Sequence, residues 1–379
     1  MITTSFLILS SFILTFYVSF MFWLILGSNS KGQNSSSQIK SPDVTIIIPL
    51  HNEVQRIHRL EVELDRQDYK GNWRVIMVED HSDDGTWARL RQVKSQKIQV
   101  LKSRGRGKKR AIETGLLAAE SDWVLTLDAD CSISPGWLSA WAEYFSMDKK
   151  MILGSVFSRP EGTFLAALQY FESAALWTTT AGSANLRYPL SSSGANLAYQ
   201  KEAYFNLKPY ESNWQLNTGD DMFFMLSIRS GYPQSIGIAT DPDTIVITEP
   251  GKSFSDYLSA RSRWAGKGKY YSDFITILLG LTILSASVLF YAWVILLLMN
   301  IQRPAMFTFL VVKWLVDIVM IARGDRLNKL KSQWIYLFPS LFIYPFIVSY
   351  SVINGFIRTP GLEQSKNGQE HDSTRHHNR

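Results

Sequence analysis

Residues 122–131, DWVLTLDADC, decide the fold of this chain. The stretch 123–127 is mostly apolar without alternation, which is typical of a β-strand covered on both faces. Asp128 and Asp130 follow it directly. Carboxylates gathered at one point repel each other and raise their own pKa values unless a cation lies nearby. The stretch therefore predicts a buried strand that carries negative charge to a cation-binding edge.

Two earlier stretches repeat this pattern of a strand followed by charge. VTIIIPLHNE (44–53) predicts a buried strand with Glu53 just beyond it, and WRVIMVED (73–80) predicts a strand that ends in Glu79 and Asp80. KIQVLKS (97–103) predicts a further strand, and helical spacing of apolar residues separates the strands. Alternating strands and helices predict an α/β fold with a mostly parallel sheet, whose ligands collect beyond the carboxyl ends of the strands.

A basic segment, KSRGRGKKR (102–110), follows the third predicted strand. We expect its cations to converge with the carboxylates on one rim and to suit a phosphate group. These cations are Lys102, Arg104, Arg106, Lys108, Lys109 and Arg110. The segment is not a phosphate-binding P-loop, because Lys109 stands where Ser or Thr is required after Gly107-Lys108. A kinase or ATPase is therefore disfavoured, and a solvated basic patch is the simpler alternative for the segment.

The predicted rim offers oxygen ligands without a local His or Cys cluster. Such a donor set favours Mg²⁺ or Mn²⁺ over Zn²⁺. An Asp-x-Asp pair alone is weak evidence, because aspartate also caps helices and makes turns. The single cysteine, Cys131, is expected to be a small buried side chain, and one cysteine makes no internal disulfide, which fits a cytoplasmic domain.

Four segments predict transmembrane helices in this chain of 379 residues, 46% of them hydrophobic. Residues 2–26, 274–299 and 334–357 carry no charge, and each exceeds the roughly 20 residues that span a bilayer. The fourth, 306–322, contains Lys313 and Asp317 at a spacing that lets them pair. The first segment lacks a basic leader and a clear cleavage site, so we expect an anchor rather than a signal peptide.

The charge distribution predicts which side of the membrane holds the soluble part. Lys31 and Lys40 follow the first span, and further basic residues lie between the last two spans, so the positive-inside rule places the soluble part in the cytoplasm. Those further residues are Arg323, Arg326, Lys329 and Lys331. The net charge of +6 suits anionic lipid or a phosphorylated substrate, and does not by itself indicate nucleic acid.

The order of seven motifs resembles the family-2 glycosyltransferases, which are inverting enzymes of the GT-A fold. VTIIIPLHNE, VEDHSDDGT, GKKRAIETG and LTLDAD resemble the successive nucleotide-sugar motifs of the family. SSSGANLAYQKEAY resembles its acceptor-side segment, TGDDMFFML its catalytic-base motif and RSRW the end of its Gln-x-x-Arg-Trp motif. The resemblance covers about residues 43–265, and the three spans that follow resemble the membrane-integrated members.

The resemblance implies a GT-A domain, Rossmann-like and nucleotide-sugar-binding, with a mostly parallel central sheet, plus about four transmembrane helices. The expected organisation is a transmembrane anchor at 1–27, a flexible linker at 28–42, a cytoplasmic GT-A catalytic domain at 43–252, an amphipathic interfacial segment at 253–272, three transmembrane helices at 273–357 and a disordered tail at 358–379. The protein is then a multi-pass protein of a bacterial-type inner membrane.

The resemblance also assigns roles to residues. The donor would be bound by Pro49, Glu53, Glu79, Asp80, Lys108, Asp128, Asp130, Arg263 and Trp264. Asp128 and Asp130 would hold Mg²⁺ or Mn²⁺, with Asp130 the more direct ligand. Gly194, Ala195 and Asn196 would lie on the acceptor side. Asp221 would be the general base with Asp220 as its neighbour, although two acids at a helix start are also favoured by the helix dipole alone.

Two positions depart from the family pattern. Glu79 stands where many relatives carry an Asp, which leaves its role intact and its geometry open. Ala260 replaces the Gln that helps processive relatives to hold the acceptor end, which puts polymer synthesis in doubt. For Arg261, Arg263 and Lys267, anchoring to lipid headgroups is the simpler alternative.

The expected function is metal-assisted inverting transfer of a sugar from a nucleotide sugar, with a UDP-sugar favoured. The acceptor is a hydroxyl of a lipid, a lipid-linked glycan or a growing polysaccharide. A processive polysaccharide synthase remains an alternative. So do a nucleotidyltransferase and a non-catalytic membrane scaffold in a polysaccharide assembly complex. The expected partners are the donor, the acceptor and membrane lipids, with no nucleic acid.

Overall fold

The computed structural model describes residues 2–29, 41–211, 214, 216, 219–326, 330 and 333–357. Most of the predicted linker 28–42 and the whole predicted tail 358–379 lie outside this range. So do four of the basic residues used for orientation, Lys31, Lys40, Lys329 and Lys331. What the sequence predicts for them stays a prediction.

The N-terminal half of the soluble domain alternates strands and helices. After the first helix, α1 (Ile2–Ser28), the elements are β1 (Val44–Leu50), α2 (Ile57–Asp65), β2 (Trp73–Glu79), α3 (Thr86–Leu90), β3 (Ile98–Lys102), α4 (Lys108–Ala118) and β4 (Trp123–Leu127). The four strands pair in parallel in the order β3-β2-β1-β4. The strands and the mostly parallel sheet predicted from the sequence are confirmed.

The C-terminal half adds short strands and longer helices. They are β5 (Cys131–Ser132), α5 (Trp137–Phe145), β6 (Met151–Leu153), β7 (Val156–Ser158), α6 (Phe164–Asn185), β8 (Asn196–Gln200), α7 (Lys201–Leu207), α8 (Asp220–Gly231), β9 (Ile236–Ile238), β10 (Val246–Thr248) and α9 (Phe254–Gly266). The main sheet has the order β3-β2-β1-β4-β8-β6-β9, and β5-β10-β7 form a second sheet. Because β8 runs antiparallel to β4, its first residue pairs with Leu127, the last residue of β4.

Both faces of the main sheet are covered, which explains the unbroken apolar run of β1. Ile46 and Ile48 belong to one buried cluster with Trp137 and Trp141 of α5. Ile47 points to the other face, where α4 packs so closely that a Cβ added at Gly115 would lie 2.7 Å from Ile47 Cγ2. A strand buried on both sides has no polar face to alternate with.

Among the residues that the structure describes, four helices are long and apolar enough to cross a membrane. They are α1 and three further helices, α10 (Phe274–Leu298), α11 (Arg303–Asp325) and α12 (Leu337–Ile357). Large apolar side chains cover their outward surface; Phe12, Phe307 and Ile353 are each exposed by more than half. A soluble bundle would bury such residues, so these surfaces fit contact with lipid.

Helix α6 joins the soluble domain to the spans through close backbone crossings. A Cβ added at Gly182 of α6 would lie 2.1 Å from the carbonyl oxygen of Leu24 in α1. One added at Gly324 of α11 would lie 1.9 Å from the oxygen of Ala174 in α6. The Thr178 hydroxyl adds a hydrogen bond to the Met320 carbonyl at 2.8 Å. The domain therefore rests directly on the spans.

Candidate active site

Three parallel strands bring their carboxyl ends to one rim. Leu50 at the end of β1 is in register with Glu79 at the end of β2, and the Asp80 amide donates to the Leu50 carbonyl at 2.8 Å. Asp128 and Asp130 follow the end of β4, which pairs with β1 in parallel. The carboxylates of the DWVLTLDADC stretch and of the second strand therefore lie on the same edge of the sheet.

Asp80 holds the glycine-rich loop in place. The Gly107 amide donates to both carboxylate oxygens of Asp80 at 2.9 Å, and Asp80 is buried. Gly107 adopts a φ of 99°, a conformation that glycine accepts readily and other residues rarely do. This contact sets the position where α4 begins and therefore the position of Lys108.

Lys108 lies between two carboxylates from distant parts of the chain. Its Nζ is 2.7 Å from Asp128 Oδ1 and 3.3 Å from Asp220 Oδ2 at the start of α8. Gly194 packs against this ion pair: a Cβ added there would lie 2.7 Å from Asp220 Oδ2 and 3.3 Å from Lys108 Nζ. We call Lys108, Asp128 and Asp220, with Gly194 against them, the central cluster.

The central cluster perturbs the ionisation of its members. Burial raises the pKa of Asp128 to about 6, with added repulsion from Asp130 and Asp220 and an opposing attraction from Lys108. Burial also opposes the ionised form of Asp220, but Lys108 and then Lys267 hold its pKa below the usual value. Although burial disfavours the Lys108 ammonium, Asp128 and Asp220 keep its pKa well above the usual value. Carboxylates outnumber cations here, and the site accommodates another positive charge.

Asp130 lies on the outer side of the rim. The Thr248 hydroxyl donates to its Oδ2 at 3.3 Å, and the buried Cys131 thiol donates to its Oδ1 at 3.4 Å. Glu53 lies close enough that burial, then the Asp130 charge, raise its pKa against the pull of its ion-pair partner Arg56. Arg56 also contacts Glu249 at 3.3 Å.

The two aspartates fit a divalent cation if a diphosphate completes its shell. Within the described ranges, no group of three or more His, Cys, Asp or Glu side chains is arranged to hold a metal ion. Mg²⁺ and Mn²⁺ prefer oxygen ligands, and Mg²⁺ typically takes one or two carboxylates, with substrate phosphates and water for the rest. The surplus negative charge around Asp128 and Asp130 agrees with such an ion.

Asp221 follows Asp220 but faces a different partner. Its Oδ1 lies 3.6 Å from Lys267 Nζ and accepts from the Met222 amide at 2.7 Å. Gly219, with a φ of 89°, begins the turn that separates the two aspartates from the preceding chain. Each aspartate therefore has its own lysine, so a helix-dipole effect alone does not account for the pair.

Sequence reasoning treated Lys267 only as a possible lipid anchor and missed its contact with Asp221. Lys267 begins a short 3-10 helix, Lys267–Tyr270, directly after α9. Its spacing of four residues from Arg263 is a signal that could have placed it on the same helix face.

Lys109, which follows Lys108 in the sequence, is buried over the rings of Tyr210 and Phe223, at 5.3 and 5.2 Å. Burial lowers the pKa of Lys109 to about 8.

The expectation that the six cations of 102–110 converge on the rim is wrong. Lys102 lies over the Trp87 ring at 4.7 Å, on the outside of the domain. Arg110 pairs with Glu113 at 2.9 Å and lies over the Trp214 ring at 3.7 Å. Successive side chains of the loop and the first turn of α4 point in different directions, so only Lys108 bonds a rim carboxylate among the described contacts.

Two other candidates turn inward. The Glu79 carboxylate is buried and accepts from the Ser82 amide at 2.5 Å, which closes the turn after β2. Asn196 is fully buried, and its Nδ2 donates to the carbonyls of Ser155 and Thr244, both at 2.8 Å. The Asn196 side chain is therefore engaged within the protein, Ala195 is buried beside it, and the acceptor-side role expected for both stays a prediction. Pro49 lies in β1 one residue before the rim.

Arg263 and Trp264 lie exposed on α9. Trp264 is 47% exposed, and the Arg261 guanidinium lies 4.0 Å from its ring. Arg261 Nε also donates to Glu172 of α6 at 2.6 Å. A Cβ added at Gly266 would lie 2.8 Å from the Gly355 oxygen of α12, so α9 packs tightly against the last span. The helix that carries the Arg-Trp pair therefore contacts α6 through Arg261 and α12 through Gly266.

Residues 45–207 match the model of Glycosyl transferase family 2. A dolichol-phosphate mannosyltransferase of Pyrococcus furiosus is 25% identical over 114 residues, which are 30% of this chain and 32% of the relative. Glycosyltransferase AglE of Haloferax volcanii is 25% identical over 234 residues, 60% of this chain and 73% of the relative. The match thus spans about a third of the first relative and most of the second.

A solved structure shares the fold of nearly the whole chain. Mannosyltransferase PcManGT from Pyrobaculum calidifontis, in complex with GDP-Man and Mn²⁺, superposes with a TM-score of 0.58. The alignment covers 94% of this chain and 98% of that chain at 14% sequence identity. At this identity the likeness concerns the fold, including the arrangement of the apolar helices.

Proposed function

Since this chain is a glycosyltransferase of family 2 with the GT-A fold, we propose that it transfers a sugar, with inversion, from a nucleotide-sugar donor to a membrane-lipid or lipid-linked acceptor. The observation that carries the proposal is the central cluster. Asp128, Lys108 and Asp220 converge from three separate elements at the carboxyl ends of the parallel strands, where α/β sheets bind their ligands.

The donor diphosphate lies along the rim in this proposal. Asp80 and the Gly107 loop shape its binding surface, and Lys108 and Arg263 contribute positive charge to it. Asp128 and Asp130 hold Mn²⁺ or Mg²⁺. When bound, such an ion offsets the negative charge that develops on the departing diphosphate. The surplus of carboxylates in the ligand-free site supports this assignment.

The acceptor oxygen attacks the anomeric carbon from the side opposite the diphosphate and needs a base to take its proton. Asp220 is bound to Lys108, so its lone pairs are already engaged on the donor side. Asp221 lies next to it with only the looser Lys267 contact at 3.6 Å. We therefore assign the base to Asp221 and the positioning of Lys108 to Asp220.

The acceptor approaches from the membrane side, where α9 and the spans meet. Two features support a lipid acceptor. The domain packs directly against the spans, and one relative is a dolichol-phosphate mannosyltransferase. Ala260 in place of the family's Gln favours a single transfer over processive synthesis. With the soluble domain on the cytoplasmic side, the donor is supplied from the cytoplasm.

The donor base is the open choice between uridine and guanosine. The sequence favours UDP, and the structural neighbour was solved with GDP-Man. We propose to measure nucleoside diphosphate release by the full-length protein in detergent, with UDP-, GDP- and dTDP-sugars, Mn²⁺ or Mg²⁺, and membrane lipid extract. Release that requires one donor, the metal and Asp221 is expected. Release of pyrophosphate would instead identify a nucleotidyltransferase, and the absence of any nucleotide binding would identify a scaffold.

A further inference from the structure

A cavity of about 110 Å³ lies between α6 and the four spans. Its upper wall is one face of α6, formed by residues at helical spacing: Leu168, Phe171, Glu172, Ala175, Leu176 and Thr179. Side chains of α1, α10, α11 and α12 form the other walls. The opposite face of α6, with Ala167, Tyr170 and Ala174, belongs to a buried cluster that includes Met151 and Leu153 of the main sheet, and Ala174 also meets α11. The cavity therefore lies against a helix that also packs into the catalytic domain.

Most of the cavity wall is apolar, but one cation faces it. Lys313 is 4% exposed, and its Nζ bonds Asp317 Oδ2 at 2.6 Å. Asp317 also accepts a hydrogen bond from the Tyr17 hydroxyl. Within the described chain, the only other neighbours recorded for the Lys313 ammonium are the ring faces of Tyr17 and Phe290, at 5.4 and 5.8 Å. An ammonium has three donors, so Lys313 retains donors for a ligand oxygen.

The depth of this pair identifies the kind of ligand. Asp317 lies eight residues before the end of α11 at Asp325, which is about 12 Å along a helix. That distance lies within the hydrocarbon layer of a bilayer about 30 Å thick. Lys313 balances Asp317, and Arg261 balances Glu172, so no net charge is left for an ionised group. A hydrocarbon chain with an uncharged oxygen matches both the apolar wall and the spare donors.

The cavity reaches the surface of the protein at one residue. Leu176 of α6 lines the cavity and is 39% exposed. Because this residue lies beside the apolar helices, we take it as the point at which a lipid chain enters from the side. At the other end, Glu172 bonds Arg261, which lies over Trp264 of the proposed active site.

We propose that this cavity holds a segment of one hydrocarbon chain of the membrane acceptor, with Lys313 donating a hydrogen bond to an ester or hydroxyl oxygen of the same lipid. The identification of the lipid as the acceptor rests on the proposed function. The presence of a lipid chain rests on the cavity alone. The site positions the acceptor beneath α6 so that its polar end meets α9.

The test uses a diacylglycerol with a photoactivatable diazirine in one acyl chain. The full-length protein is reconstituted in phosphatidylcholine vesicles that contain the probe, without donor, then irradiated, digested and analysed by mass spectrometry. Label is expected in segments 168–179 and 313–321. Label confined to outward-facing residues such as Leu281 and Val288 would overturn the proposal.

Two matched leucine variants test the route of entry. Leu176→Trp blocks the opening and should lower the label in both segments at least fivefold. Leu281→Trp makes the same change at a position of α10 that is 54% exposed and outside the cavity, and should alter the label less than twofold. An equal effect of the two variants would overturn the site.

A charge-free variant tests the hydrogen bond, and a transfer assay tests the acceptor. Lys313→Met with Asp317→Leu keeps the packing and removes both charges, so the protein should fold while the label falls about threefold. Unchanged label would overturn the role of Lys313.

In the transfer assay, Leu176→Trp should slow transfer to membrane lipid at least fivefold with unchanged nucleotide binding. Label without this loss of transfer would overturn the acceptor assignment, and label in a protein without transfer activity would overturn only the proposed function.

Discussion

Two lysine–aspartate pairs of nearly equal length lie in very different places. Lys108 and Asp128 are 2.7 Å apart on the rim of the catalytic domain, and Lys313 and Asp317 are 2.6 Å apart within a membrane span. The rim pair has additional carboxylates around it, from Asp130 and Asp220, whereas the contacts of the span pair in the described part of the chain are the Tyr17 hydroxyl and the rings of Tyr17 and Phe290.

The difference shows what an ion pair indicates about function. A pair that is balanced within one helix, one turn apart, satisfies its own charges and needs nothing else from the chain. A pair assembled from separate elements with surplus negative charge is costly unless a further cation arrives. We therefore expect a positively charged ligand, such as a metal ion, at the rim and an uncharged ligand beside the span pair.

The largest expected effect comes from the acid that lies outside both pairs. Asp221→Asn removes the proposed base and keeps the shape of the side chain, so transfer should fall about 10²- to 10⁴-fold. Donor binding should stay unchanged, because Lys108, Asp128 and Asp220 are untouched. Steady-state kinetics and calorimetric donor titration measure the two properties. Wild-type turnover in Asp221→Asn would assign the base to another residue.

Removal of the outer rim carboxylate should separate metal binding from the central cluster. Asp130→Ala is expected to weaken Mn²⁺-dependent UDP or GDP binding on the order of 10- to 100-fold, because one of two carboxylate ligands is lost. Titration calorimetry with and without Mn²⁺ measures this. Asp122→Ala is the matched control, since Asp122 is exposed at the opposite end of β4. Equal metal dependence in both variants would refute the metal site.

The span pair should respond to single and double substitution in opposite ways. Lys313→Met leaves the Asp317 carboxylate without its cation in the spans and should destabilise the protein by about 3 kcal/mol. Lys313→Met with Asp317→Leu should restore the stability to within about 1 kcal/mol of the wild type. Thermal unfolding in one detergent compares the three proteins. A double variant less stable than the single one would show that the pair itself holds the spans together.

The smallest effect concerns Lys109, a buried lysine outside both pairs, which packs over aromatic rings. Burial lowers its pKa to about 8, so between pH 8 and pH 10 the unfolded chain binds more protons at this residue than the folded one. Stability from this residue must therefore increase with pH in that range. The melting temperature of the wild type minus that of Lys109→Met should therefore increase from pH 7 to pH 10. A constant difference would mean that Lys109 stays charged in the folded protein over this range, so that its pKa is not lowered.

The sequence predicted the parallel half of the domain because its strands are long and β-branched. β1, β2 and β4 read as buried strands, and their shared carboxyl edge brought Asp80, Asp128 and Asp130 together. The C-terminal half, where parallel and antiparallel pairs are mixed, was not predictable in the same way, since β6, β7, β9 and β10 have three residues each and carry almost no periodicity. The sequence did not predict that α6 joins the domain to the spans, because its own apolar residues lie on all faces of the helix and mark no single buried side.

Side-chain direction was the main limit at the candidate site. Motif position correctly brought Gly194 and Asp220 to the cleft, but it gave no sign that Asn196 turns inward to the Ser155 and Thr244 carbonyls. Motif position also predicted that all six cations of 102–110 lie at the rim, whereas only Lys108 bonds a rim carboxylate among the described contacts. The contact of Lys267 with Asp221 depends on how α9 packs on α12, which a single sequence does not encode locally.

The glycine crossings of α6 and α9 have a consequence for acceptor choice. Gly182 against Leu24, Gly324 against Ala174 and Gly266 against Gly355 hold α6 and α9 in backbone contact with the spans. We expect these contacts to keep Asp221 at a fixed distance from the spans. If Asp221 is the base, as proposed, acceptors should then be selected by length: those whose reactive oxygen reaches Asp221 should react, and those with a longer or shorter polar head should react more slowly.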